Sequence, residues 1–132
     1  MASGAWFSSE GFKKNLLSFK RNFGKHLGRA LYQETSIELT EVKRRTPVDK
    51  GALRASERLE GPLRTGPNES IIYMLILAGG PAAPYAIYVH EDLEAIHPVG
   101  QAKFIESVLL ESRPYMAARV AKRIDLNRVI FG

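Results

Sequence analysis

Cysteine is absent from the 132-residue chain. That excludes disulfide stapling, thiolate metal sites and a cysteine nucleophile, and it suits a reducing compartment. Long hydrophobic runs are missing as well. The longest, Ile71 to Ala78, falls well short of the ~20 residues that a membrane-spanning helix needs, and it reads as a buried strand. The first residues, Met-Ala-Ser-Gly-Ala-Trp-Phe, lack a basic stretch followed by an apolar core, so no signal peptide and no membrane partner are expected. Catalytic signatures are equally scarce. Gly79-Gly80 is not followed by Gly-Lys-Ser/Thr, and no Gly-x-Ser-x-Gly elbow occurs. His90 and His97 are too far apart for the zinc-hydrolase helix, which sets two histidines four apart, and Pro98 would end such a helix. Nothing in the pattern sets two of the acids Glu91, Asp92, Glu94, Glu106 and Glu111 in an apolar cleft, as general acid catalysis requires. No enzyme activity, cofactor or metal is expected.

What is present describes a globular chain. Hydrophobic residues make up 45% and charged residues 25%. The length suits a single domain spanning 1–132, with a real hydrophobic core. Net charge is +5, but it is unevenly spread. Residues 1–64 hold 13 Lys/Arg against 7 Asp/Glu, whereas residues 65–132 hold 6 against 7. Such a split suits head-to-tail contacts between copies or one face turned to a polyanion; the plainer reading is a solvated basic helix face.

Residues 9–46 read as a long amphipathic helix. Phe12, Leu16, Phe19, Phe23, Leu27 and Ala30 recur at three- and four-residue spacing, which predicts a core-facing stripe. A DNA- or membrane-binding face is the alternative. Leu31, Glu34, Glu38 and Glu41 drift onto the expected polar face, while Ile37 and Val42 continue the apolar one. Ser8 or Ser9 is the candidate N-cap, with Glu10 in the first turn and Lys43, Arg44 and Arg45 complementing the dipole at the end. Gly24 and Gly28 mark either a kink or a close packing contact. Lys13, Lys14, Lys20, Arg21, Lys25 and Arg29 on this helix are candidates for facing DNA or a partner. With no helix-turn-helix, zinc-finger or RNA-recognition pattern, loose electrostatic contact is expected rather than sequence readout.

The helix is broken at Thr46-Pro-Val-Asp-Lys-Gly-Ala-Leu-Arg-Ala-Ser56. Pro47 disfavours helical geometry at Thr46, Asp49 bonds locally in turns, and Gly51 takes positive φ at little cost. A sheet is expected over about 53–90, its first strand starting at Leu53 and Arg54. Thr65-Gly66-Pro67-Asn68 is a turn cluster. Ser70 to Ala78 reads as a strand that is central and covered on both faces, ended by Gly79-Gly80-Pro81. Residues 84–91 fit either a strand or a short helix. A second helix is expected over about 101–123, with Ala102, Ile105, Val108, Leu109, Ser112, Tyr115 and Met116 as its apolar face, kinked or split at Pro114. The tail 124–132 ends in Val129-Ile130-Phe131, either an edge strand or a segment docking on a neighbouring subunit.

Two patches carry a family likeness. The first is the Thr46–Ser56 string after a long helix. The second is Pro84-Tyr-Ala-Ile-Tyr-Val-His-Glu91, followed by a loop and by Gly100-Gln-Ala-Lys-Phe-Ile-Glu106 opening a helix. Over roughly residues 10–115 the chain resembles the neck and tail-completion proteins of long-tailed bacteriophages, a group that includes minor tail and head–tail joining proteins. Many members carry a glycine-rich loop after the Val-Glu segment, where this chain has the acidic, glycine-free stretch Asp92 to Pro98.

The resemblance implies an α+β fold with a long N-terminal and a C-terminal helix packed on a small antiparallel sheet. It implies a structural virion protein of the neck, made in the bacterial host cytoplasm. The expected partners are itself as a hexameric ring, the connector, neck and tail-tube proteins, and packaged DNA through non-specific contact. A tail terminator capping the tube is the near alternative, and a basic nucleic-acid-binding module the distant one. The expected roles are structural. Pro47, Asp49 and Gly51 shape the junction, and Leu53 and Arg54 start the strand. Tyr85, Tyr88, His90 and Glu91 form a packed polar-aromatic unit near a subunit contact, and Lys103 and Phe104 open the last helix.

Overall fold

A single helix of 37 residues, α1 (Ser9–Arg45), sets the long dimension of the molecule, about 55 Å. The computed structural model describes residues 9–48, 51–93 and 100–131. After α1 come a short helix α2 (Ala52–Ser56), strand β1 (Arg58–Thr65), a 3-10 turn (Pro67–Glu69) and strand β2 (Ile71–Leu77). Helices α3 (Ala86–Glu91), α4 (Phe104–Lys122) and α5 (Leu126–Phe131) complete the chain. This is a mixed α+β fold with an antiparallel two-stranded sheet.

The β1–β2 hairpin pairs Arg58 with Leu77 and Thr65 with Ile71. Its register shifts between Glu60 and Leu63, across Gly61 and Pro62. The hairpin lies on α1, and two glycines of that helix make the approach possible. A Cβ on Gly28 would stand 3.2 Å from Pro62 Cγ, and one on Gly24 would stand 2.9 Å from Arg64 Nη2. Gly24 and Gly28 are therefore close-packing positions, within a helix that is continuous through both.

The core gathers Val42 of α1, Leu53 of α2, Ala83 and Ala86 around α3, and Phe104 and Val108 of α4, with Ile76, Ala78, Val89 and Ile105 packed against them. It sits toward the C-terminal end of α1. From there α4 runs antiparallel along α1. Arg45 meets Ser107 and Glu111, Arg119 meets Glu38, and Arg123 meets Glu34. At the far end, Asn22 Nδ2 donates to the Val129 carbonyl of α5 at 3.4 Å.

Several expectations are corrected. Leu53 and Arg54 lie in α2, not in a strand, and β1 begins only at Arg58. Of the two readings left open for 84–91, the short helix is the one found, as α3 from Ala86, with 84 and 85 in a turn. Strand β2 pairs with β1 alone among the described residues and is half-buried, so it is not a central strand. Glu34 and Glu38 are buried rather than solvated, because the last turns of α4 cover them and supply arginines. Burying such charges costs stability unless they are paired, and here each has a partner. Ile37, expected on the apolar face, is exposed instead. The tail is neither an edge strand nor irregular. Asp125 Oδ1 accepts from the Asn127 and Arg128 amides and so caps α5, whose Val129 is buried. Helix α4 runs through Pro114, which lies on its exposed side, where water can satisfy the carbonyl left without a donor.

Candidate functional site

The Thr46 junction is a fastening point for three parts of the chain. Its own hydroxyl and amide turn back on the last turn of α1, with Thr46 N and Oγ1 reaching the Val42 carbonyl at 2.9 and 2.7 Å. Arg54 Nη2 donates to the Thr46 carbonyl at 3.1 Å, which ties α2 to the end of α1. Thr46 Oγ1 also donates to Glu57, which ends α2 just before β1. The threonine hydroxyl has one hydrogen. It is placed to donate to both the Val42 carbonyl and the buried Glu57 carboxyl, which compete for it. Burial pushes the Glu57 carboxyl above its usual range, against the lowering effect of the Thr46 bond and of Lys43 and Arg54.

Gly51 opens α2 at φ 77, a left-handed conformation that glycine adopts without penalty. Pro47 is half-buried and Leu53 is buried. Asp49 lies outside the described residues. Gly100, quoted above as the start of the Gly100–Glu106 string without a role of its own, is pressed against the junction. At φ 87, a Cβ there would stand 2.5 Å from the Arg45 carbonyl and 2.6 Å from Pro47 N. Next to it, Gln101 N donates to the Arg45 carbonyl at 2.8 Å. Arg45 also bridges Glu41 at 2.9 Å, Ser107 at 3.1 Å and Glu111. Bonds from Arg44 and Arg45 hold the Glu41 carboxyl down to about 2.

The second patch closes against the first turn of α4. The His90 carbonyl accepts from Lys103 N at 2.6 Å, and its Nε2 accepts from the Glu106 amide at 3.3 Å. Histidine thus caps α4, which has no side-chain cap at Lys103 itself. That role leaves the proton on Nδ1, which donates to Glu91 Oε1 at 2.8 Å. The His90 ring stands edge-on to the fully buried Phe104 at 4.8 Å. Lys103 Nζ donates to Glu91 and lies 3.1 Å from Glu106 Oε2. The Lys103 ammonium, with help from His90, draws the Glu91 carboxyl below its ordinary range. His90, Glu91, Lys103 and Phe104 therefore meet in one cluster. Tyr85 and Tyr88 do not join it: they are 40% and 75% exposed.

Two apolar surfaces are left uncovered by the described residues. One is a groove of about 530 Å³ between α3 and α4, with Ala78, Ile87, Phe104, Ile105, Leu109 and Leu110 in its walls and Glu91 and Glu106 on its rim. Ile87, Leu109 and Leu110 are exposed. The neighbours Leu109 and Leu110 are the sequence signal for it, since adjacent residues on a helix cannot both face one core. The other surface is the start of α1. The predicted core stripe fails there: Phe12 and Leu16 are about half exposed, and Leu17 and Phe19 are exposed too. The first buried residue of α1 is Gly24. A smaller hollow of about 280 Å³ links Phe12, Leu16 and Phe19 to Ile130 of α5. Lys13, Lys14, Lys20, Arg21, Lys25 and Arg29 are all exposed along the same helix.

Among the described residues, no group of three or more His, Cys, Asp or Glu is placed to hold a metal ion, and no helix is long and apolar enough to cross a membrane. Comparison with family models, with curated proteins and with solved structures gave no match.

Proposed function

We propose that this chain is a structural component of the neck of a long-tailed phage, a tail-completion or head–tail joining protein that acts by assembling into a ring, expected to be sixfold. The observation that carries the reading is the uncovered start of α1. A helix of this kind normally gains its stability by packing an apolar face, and this one leaves Phe12, Leu16, Leu17 and Phe19 in solvent. Such a face calls for a partner outside the chain. The resemblance of the Thr46–Ser56 and Pro84–Glu106 patches to the neck family supports taking the phage neck as that assembly. His90, Glu91, Lys103 and Phe104 have structural contacts that suit this role.

The test is a phage lacking the gene, viewed by electron microscopy. Unjoined heads beside tails of normal length support completion. Overlong tails would shift the assignment to a tail terminator. A gene lying away from the head-connector and major tail genes would sink both.

A second reading has its own observation: the six exposed cations on α1. They form a basic strip suited to duplex DNA. Binding to random-sequence duplex is expected to weaken steeply with added salt if that strip is the contact. Salt-insensitive or absent binding would remove DNA from the partner list.

A further inference from the structure

We propose that the basic, apolar start of α1 docks into the acid-rimmed groove between α3 and α4 of a second copy of this chain. The inference rests on the ring reading above and names the contact that would build the ring.

Four observations carry it. The groove is apolar in its walls and open to solvent at Ile87, Leu109 and Leu110. The start of α1 presents a helical apolar ridge, Phe12, Leu16 and Phe19, of the kind that fits a groove. Their charges are opposite. Lys13 and Lys20 flank the ridge, whereas the groove rim holds Glu91 and Glu106, which share the ammonium of Lys103. Two carboxylates against one ammonium leave the rim net negative.

The fourth observation is position. The groove is built on the first turns of α4, and Ser107 and Glu111 in those turns bond Arg45 at the opposite end of α1. At roughly 1.5 Å per residue, the helix carries Leu16 about 40 Å from Arg45. Because α1 is one continuous helix, its start cannot fold back into its own groove. Only another copy can supply the ridge. A ridge at one end and its socket at the other make a heterologous, head-to-tail contact, the kind that closes into rings.

The absence of native cysteine makes cross-linking a clean test. Leu16→Cys and Leu110→Cys both replace exposed residues, so the fold should survive, and circular dichroism checks it. Under mild oxidation the double variant is expected to give a ladder of covalent multimers. An equal mixture of the two single variants should give a covalent dimer and nothing larger. Each single variant alone should stay uncross-linked. Lys13→Glu with Lys20→Glu is expected to weaken association about tenfold or more at low salt.

If the chain is oligomeric in solution and the cysteine pair does not cross-link, the contact is wrong while the ring reading stands. Cross-linking of Leu16→Cys to itself would also overturn it, in favour of paired arms. A chain that stays monomeric and uncross-linked at every concentration overturns the contact and the ring together. A ladder from a gene outside any phage neck cluster upholds the contact and defeats only the neck assignment.

Discussion

The two ends of α1 share one sequence style and have opposite fates. Both carry apolar residues at helical spacing with cations between them. At the C-terminal end Val42 and Thr46 are buried, Arg45 is bonded to three side chains, and Gly100 is pressed against the backbone. At the N-terminal end Phe12, Leu16 and Phe19 are exposed, and Ile130 of α5 lines a hollow beside them. Amphipathic periodicity shows that a helix has an apolar face. Whether the partner lies within the chain or outside it is decided by what the rest of the fold can reach.

If the C-terminal end is the stability centre, changes there should cost most. Phe104→Ala removes a fully buried ring at the core and from beneath His90, and about 3–5 kcal/mol should be lost in chemical denaturation. Gly100→Ala must place a Cβ against the Arg45 and Pro47 backbone at a strained φ, so a loss of about 3 kcal/mol is expected. A loss of only a few tenths would show that the 100–103 segment is not held on the junction.

The acids near Thr46 sharpen the contrast through pH. Burial raises the Glu57 pKa in the folded chain, so its contribution is whole below the unfolded value and is lost as pH rises through the folded one. Glu57→Gln, neutral throughout, should therefore gain on the native chain as pH climbs out of the acid range. Glu41 has the opposite sign. Its pKa is lowered to about 2 by Arg44 and Arg45, so its contribution holds near neutrality and fades as pH falls toward that value. Glu41→Gln should be the less stable chain at pH 7 and match the native one in strong acid. Parallel pH curves for either pair would contradict the assigned environments.

The smallest effect on monomer stability is expected at the other end. Leu16→Ser should change unfolding of the isolated chain by less than about 0.5 kcal/mol, since the side chain is already about half exposed. A cost near that of Phe104→Ala would mean that the stripe is core after all.

Much of the fold could be read from local chemistry. The cations ending α1, the Gly66-Pro67 turn and the Gly79-Gly80 stop stand where local pattern set them, and α4 begins at Phe104, within a few residues of the 101 that periodicity gave. Helix α2 was misread because five residues are too few for periodicity. Leu53, Ala55, Glu57 and Leu59 alternate like a strand, yet the buried members, Leu53 and Glu57, are four apart as on a helix turn. Glu34 and Glu38 looked solvated because their arginine partners lie some 80 to 90 residues away. No short window can show such a pair. Of the candidate site, the His90–Glu91 and Lys103–Phe104 patches were visible as motifs. Their union across the 92–102 connection was not, and neither was the groove above it, since both depend on how α3 and α4 pack.

The most direct test of assembly through the α1 start compares the native mass of the purified chain with that of Leu16→Ser across a wide concentration range. The native chain is expected to form one closed oligomer of defined multiplicity, and Leu16→Ser to remain a folded monomer. Equal masses for the two at every concentration would contradict assembly through this surface.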